Sequence, residues 1–363
     1  MLDIPERLPL AVQVALSLHK ALERGLWQNV LPSERRLCEI YRVSRPVIRD
    51  ALGRVARDGV LDIRQGRNIR ILARPRPSAA PASRRVLVVL DEPASDMQLT
   101  FFQSIAELRA QLAGRGIASE IFRCQSHGTR VQQRKLEDHL SRHPVHCCIL
   151  ISVRMALQQW FSAQPFPSLV LGSCHTPVLL PSFDVDYRSV CRHAAGVLYR
   201  AGHRRIAFVV PDSGVAGDLA SEQGFLEAGS APRAVAGVRA MVLRHDPVTR
   251  NLPTRLDQLF ASPTPPTALL VARPHHVMGV ILHLLRRGLT VPGRVSLIAR
   301  DHDNLFAHIA TPVAHYAFEG DTYNHRLVRL VLHLVRDQHL PARPNLIFPR
   351  FYSGSTVARP EAS

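Results

Sequence analysis

The chain has 363 residues, 46 % of them hydrophobic and 21 % charged. That balance excludes a disordered or low-complexity polymer and leaves room for two or three folded domains. The formal net charge of +17 suits a polyanionic partner, because neutralising phosphates releases counterions. Arginine supplies nearly all of the positive charge, Lys20 and Lys135 being the only lysines, so part of the excess is a composition bias rather than a binding face. No apolar stretch is long enough for a membrane span, and Asp3, Glu6 and Arg7 interrupt any leader-like run, so a cytoplasmic location is expected. Cys38, Cys124, Cys147, Cys148, Cys174 and Cys191 lack framework spacing and point to reduced thiols. His143, His146, Cys147 and Cys148 lie close enough to suggest a metal. However, Cys147 and Cys148 open an apolar run that reads as a buried strand, where neighbouring side chains diverge. Neither a metal nor a cofactor is expected.

Residues 9–24 read as an amphipathic helix with Val12, Ala15, Leu16, Leu18 and Leu22 inward, stopped by Gly25. Ser33 is placed to cap a second helix bearing Leu37 and Ile40, and Tyr41-Arg42-Val43 is a turn. Ser44 caps a third helix, where Pro46 sits in the first turn and loses no hydrogen bond. Val47, Ile48, Ala51, Leu52 and Val55 recur at helical spacing, and Gly59 ends the run. Arg45 and Arg49 lie four apart on one face. Residues 60–64 and 68–71 alternate like strands around Gln65-Gly66-Arg67, a hairpin turn. A helix that leads with arginines after a tight turn suits the major groove, where an arginine fork specifies guanine. A solvated basic face is the competing reading. Residues 73–84, rich in Pro, Ala and Ser, read as a linker.

The stretch from Leu31 to Ile71 resembles the winged helix-turn-helix of the GntR family. It carries the LPSER opening, the V-S-R-x-x-[IV]-R-[DE]-A-L recognition helix, the D-G-[VL]-L strand start and the Q-G-R wing tip. The resemblance implies that Arg35, Arg45 and Arg49 contact DNA, that Ser44 holds a phosphate, and that Gln65, Gly66 and Arg67 enter the minor groove. Pro46 stands at a DNA-facing position where the family has Thr or Ser.

From Arg85 the pattern alternates. Strands are expected at 86–90, 117–122, 148–153, 168–172, 205–210, 240–243, 268–272 and 295–298. Helices are expected at 102–116, 131–140, 189–201, 222–228, 252–260 and 277–287. Such alternation means doubly wound parallel sheets, here in two lobes with a cleft between them. A two-domain enzyme would share that periodicity. Gly202-His203-Arg204-Arg205-Ile206-Ala207-Phe208, Gly224-Phe225, Pro266-Thr267-Ala268 and the run Arg287 to Ile298 are similar to signatures of LacI/GalR-type regulators, as are Thr311-Pro312 and Gly354-Ser355-Thr356. The resemblance covers about 85–358 and implies a bilobed α/β periplasmic-binding-protein-like domain that binds an effector and dimerises. The expected layout is a reader at 1–72, a linker at 73–84, and lobes at about 85–184 with 312–332 and 185–311 with 333–358. A GntR-type reader on a LacI-type sensor is similar in layout to arabinose-type repressors.

The cleft positions depart from that family. Its Asn-Asp pair is replaced by Arg273-Pro274, its arginine before the Gly-Phe pair by Ser221, and its G-[FY]-D segment by Ala299-Arg300-Asp301. Three readings stay open. Arg154, Arg273 and Arg300 could fork an anionic effector. Phe101 and Phe102 could stack on an unusual neutral one. Or the cleft has lost small-molecule binding and only dimerises. His203 and the pair His275-His276 are expected to be structural, and Asp184 and Asp186 to lie at the hinge or cleft. No nucleophile elbow, P-loop or dinucleotide turn is present. The expected function is a sequence-specific DNA-binding transcription regulator, a repressor acting as a homodimer on a near-palindromic operator, with affinity set by a small molecule in the cleft. A small-molecule receptor without a DNA role and an enzyme are the rivals.

Overall fold

The structure is a computed structural model that describes residues 10–23, 26–27, 29–57, 61–63, 69–72, 84–91, 99–124, 130–230, 237–246 and 251–361. The chain divides into two compact units, Met1–Ser83 and Arg84–Ser363.

In the first unit α1 (Leu10–Glu23), α2 (Glu34–Tyr41) and α3 (Arg45–Arg57) precede a short antiparallel pair, β1 (Leu61–Asp62) and β2 (Arg70–Ile71). The helical spacing of apolar residues decides what is buried. Leu18 and Leu22 of α1, Leu37 of α2, and Ile48, Leu52 and Val55 of α3 form one core. Val12 is only half-buried, and the side chain of Leu16 lies outside the described residues. Ser33 caps α2 by accepting from the Arg36 amide at 3.4 Å. Arg42 ends it in the left-handed conformation, φ 51°. The Ile48 amide donates to the Ser44 carbonyl at 3.2 Å, which starts α3 at the predicted cap. Leu61 lies opposite Ile71, and the amide of Leu31 donates to Ile69, so the wing is stitched to the segment before α2. Gly25, Gly59, residues 73–83 and the wing-tip residues Gln65, Gly66 and Arg67 lie outside the described residues.

The second unit runs β3 (Arg85–Leu90), α4 (Leu99–Ala113), β4 (Ala118–Arg123), α5 (Arg130–Arg142), β5 (Cys147–Ile151), α6 (Met155–Ser162), β6 (Ser168–Leu171) and β7 (Ser182–Val185). It continues with α7 (Tyr187–Arg200), β8 (Arg205–Pro211), α8 (Ala216–Ser230), β9 (Arg239–His245), α9 (Leu252–Phe260), β10 (Ala268–Val271), α10 (Pro274–Arg286) and β11 (Ser296–Ala299). β12 (Ala314–Ala317), α11 (Thr322–Asp337), β13 (Pro344–Ile347) and β14 (Arg350–Tyr352) follow. Two six-stranded sheets result, ordered β13-β7-β6-β5-β3-β4 and β14-β12-β11-β10-β8-β9. All pairings are parallel except β12 with β14. Helices cover both faces of each sheet, which is why the strands read as continuous apolar runs. Val86 and Val88 face a cluster with α4 and α11, while Leu87 and Val89 face α5 and α6.

The return segment corrects the expected lobe boundaries. β12 pairs with β11 in the second sheet, whereas α11 and β13 belong with the first, and β14 returns to the second. Residues 314–317 therefore belong with lobe 2 and 322–347 with lobe 1. Strand pairing, invisible in periodicity, decides this. The tail then clasps lobe 2. The Thr356 hydroxyl donates to Leu297 and accepts from the Ala314 amide, and the Leu297 amide donates to the Thr356 carbonyl. His203 holds the same corner, between Thr267 Oγ1 at 2.8 Å and Ser296 Oγ at 2.9 Å, the structural role expected of it.

Candidate functional site

The first candidate site is the outer face of α2 and α3. Arg35, Ser44, Arg45, Pro46 and Arg49 are all exposed there. Arg45 and Arg49 stand one turn apart on α3. Carboxylates partly hold this face: Arg49 Nε lies 3.0 Å from Glu34 Oε2, Arg36 lies 2.7 Å from Glu39, and Arg35 lies 3.7 Å from Glu39. These are exposed pairs, worth a few tenths of a kcal/mol to about 1 kcal/mol, so a phosphate or a base edge can displace them.

The second candidate site is a cavity of about 290 Å³ between the two lobes. The ends of β7, β12 and α11 shape it. Its rings come from Tyr187, Tyr316, Phe318 and Tyr323, and its carboxylates from Asp184, Asp301 and Asp321. Gln103, His302 and Asn324 add polar edges. Phe318 and Tyr323 lie 5.6 Å apart between ring centroids, and Tyr323 packs on Phe183 at 5.0 Å. Asp184 accepts from Ser173 Oγ at 2.6 Å and from the Val185 amide at 2.8 Å. Burial nevertheless pushes its carboxyl up to about 7. Asp186, two residues on, caps α7 through the Ser189 amide instead.

Among the described side chains proposed for an effector, only Asp301 lines this cavity. Arg300 turns into lobe 2, its side chain 1 % exposed. It donates to Asp218 at 2.9 Å, to Ser221 Oγ at 2.9 Å and to Asp301 at 2.9 Å and 3.1 Å, with its guanidinium 4.1 Å from the Tyr187 ring centroid. Arg273 donates to the other Asp218 oxygen at 3.0 Å. Burial raises the Asp218 carboxyl, but Arg273 and Arg300 outweigh it and hold it below the usual carboxylate range. Phe102 is half-buried and packs on the lobe 1 core. Arg154 precedes α6 and is not on the cavity wall. The side chain of Phe101 lies outside the described residues. The anionic-effector reading is thereby corrected for Arg273 and Arg300, because two aspartates already neutralise them. Arg300, just past the end of β11, bonds Ser221 of α8, so these two positions meet in the fold.

Cys147 and Cys148 are buried in β5, where burial pushes the Cys147 thiol up to about 12 and Cys148 higher still, which makes both poor ligands and nucleophiles. Among the described residues no helix is long and apolar enough to cross a membrane.

Comparison with known proteins adds two assignments. Residues 10–71 match the model for bacterial regulatory proteins of the gntR family, and residues 180–357 match that for a periplasmic binding protein-like domain. The chain joins a gntR-family helix-turn-helix domain to a periplasmic-binding-protein-like domain. Over 58 residues the chain is 40 % identical to a fatty acid metabolism regulator protein of Shewanella putrefaciens, a match covering 14 % of this chain and 24 % of that protein. The chain thus spans about a quarter of the length of the curated relatives it matches first. A crystal structure of a transcriptional regulator from Yersinia pestis superposes with a TM-score of 0.65 at 22 % identity, over 76 % of this chain and 99 % of that one. The lac repressor dimer bound to operator and the anti-inducer ONPF superposes with a TM-score of 0.66 at 16 % identity, over 78 % and 98 %. These likenesses establish the bilobed fold.

Sequence reasoning missed Tyr187, Asp218, Tyr316, Phe318, Tyr323 and Asn324. The segment 312–323 had no readable period, because β12 is short and its neighbours are loops. Gln103 was within one residue of the aromatic pair singled out, on the same helix.

Proposed function

We propose that the protein is a sequence-specific DNA-binding transcription regulator, a repressor rather than an enzyme, working in the cytoplasm. The carrying observation is α3, a helix of the gntR-family domain whose exposed leading face bears Arg45, Pro46 and Arg49. Arg45 and Arg49 read base edges in the major groove, and Arg35 and Ser44 hold the flanking phosphates. Gln65, Gly66 and Arg67 are assigned to the wing tip by the family resemblance. Two copies on a near-palindromic operator are the expected assembly; the lac repressor neighbour was solved as an operator-bound dimer. A small molecule in the cavity between the lobes changes operator affinity, a coupling that must be reciprocal. The curated relatives matched first align with only 14 % of this chain, so their effectors say nothing about this cavity.

Selection of bound duplexes from a random library, followed by mobility shift, tests the reading. A single two-fold motif should emerge. Arg49→Ala should weaken its binding by about 1–3 kcal/mol and relax one base position. If Arg45→Ala and Arg49→Ala both bind like the parent, the recognition helix is misassigned.

A further inference from the structure

We infer that the cavity between the lobes takes a small organic cation, an amine rather than an acid or a neutral polyol. The inference rests on the proposal that this cavity is the effector site. Its wall offers acceptors and rings in excess. Asp184, Asp301 and Asp321 line it, and among the described residues no arginine or lysine does. Arg300, next in sequence to Asp301, and Arg273, which shares Asp218 with it, are matched by Asp218 and Asp301. That network is balanced in charge, so Asp184 and Asp321 set the sign of the cavity.

Two further groups point the same way. Asn324 keeps its buried Oδ1 without a hydrogen-bond partner, and His302 keeps Nδ1 so. The other His302 nitrogen lies 3.3 Å from Asn304 Oδ1. A neutral ring that donates to Asn304 leaves Nδ1 an acceptor. Buried acceptors without donors are rare, so a donor-rich ligand is the natural completion. An ammonium brings three donors and no acceptor. The rings of Tyr187, Phe318 and Tyr323 give it π faces, and cation–π contact adds to the attraction. An anion would meet carboxylates and orphan acceptors. A polyol brings an acceptor with each donor.

Matched probes separate charge from shape. The full-length protein is titrated calorimetrically at about pH 8, where Asp184 is ionised, with phenethylamine, phenethyl alcohol and phenylacetate. Butylamine, butanol and butyrate form a second set. In at least one set the amine should bind about tenfold tighter than the alcohol, with the acid weakest. Asp184→Asn keeps the acceptor for Ser173 and buries no new charge. It should erase most of the amine's advantage and leave the alcohol unchanged. An alcohol or acid that binds as tightly as its amine overturns the inference, as does an amine advantage that survives Asp184→Asn. If an alcohol or acid binds and Tyr323→Ala abolishes it, the cavity remains the effector site and only the cation is wrong. If nothing binds in either set, both readings of the cavity fall, and the DNA-binding assignment stands on its own test.

Discussion

Asp218→Asn tests the buried charge network in lobe 2. Asp218 is 5 % exposed and accepts from Arg300, 1 % exposed, and from Arg273, 15 % exposed. Ser213 donates to it as well, at 2.6 Å. The amide keeps the shape and one acceptor but removes the charge that balances two guanidiniums. Arg300 retains Asp301, so its loss is partial, whereas Arg273 has no second ion pair among the described residues. Breaking a buried pair costs about 3–5 kcal/mol. The surviving Asp301 contact and the partial exposure of Arg273 place this case near the lower end, at about 3 kcal/mol. For a domain of this size that lowers Tm by roughly 6–12 °C. Scanning calorimetry on the parent and on Asp218→Asn reads it directly. Adding Arg273→Met removes the unbalanced cation and should restore at least about 1 kcal/mol in a double-mutant cycle. A Tm within about 2 °C of the parent, or a double variant no better than the single one, would refute the charge-balance argument.

Gly224→Ala should destabilise lobe 2 by at least about 3 kcal/mol, because the added Cβ would stand 1.9 Å from the Arg188 carbonyl oxygen and force α7 and α8 apart; an urea midpoint like the parent's would contradict that packing. Acid should weaken the fold. Burial holds His245 down to about 4 and His276 down to about 3, so between pH 6.5 and those values the unfolded chain binds protons that the folded one refuses. Asp184, raised from 3.8 to about 7, works in the opposite sense over nearly all of that range. His175, His193, His203 and His315 are also held low and side with the other histidines, so the urea midpoint should drop from about pH 7 to about pH 5. Glu34→Gln frees Arg49 from its 3.0 Å partner and should tighten duplex binding about two- to fivefold at low salt; weaker binding in a salt-dependent mobility shift would mean that Glu34 holds Arg49 in its reading pose.

The sequence made the framework legible wherever one residue decides one feature. Ser33 fixes the start of α2, the spacing from Val47 to Val55 fixes the buried side of α3, and the apolar run from Val86 to Leu90 requires helices on both faces of its sheet. α8 starts six residues before the expected helix, because Ala216, Gly217, Asp218 and Ser221 are small or polar yet buried while Leu219 is exposed, so the stretch carries no amphipathic stripe. The cavity was legible only as a set of departures. Arg273 and Arg300 stand near a place where ligand anchors are expected, and a free guanidinium there would favour an anion. Whether a guanidinium is free depends on what it meets, and Asp218 meets both of them from α8, 55 and 82 residues away in the chain. Nothing local to either arginine reports that encounter. The same pairing reverses the chemical inference, because arginines that satisfy aspartates inside lobe 2 leave the remaining carboxylates to define the cavity. A charge read from sequence therefore says which sign is present near a site, and only the pairing in the fold says which sign the ligand meets.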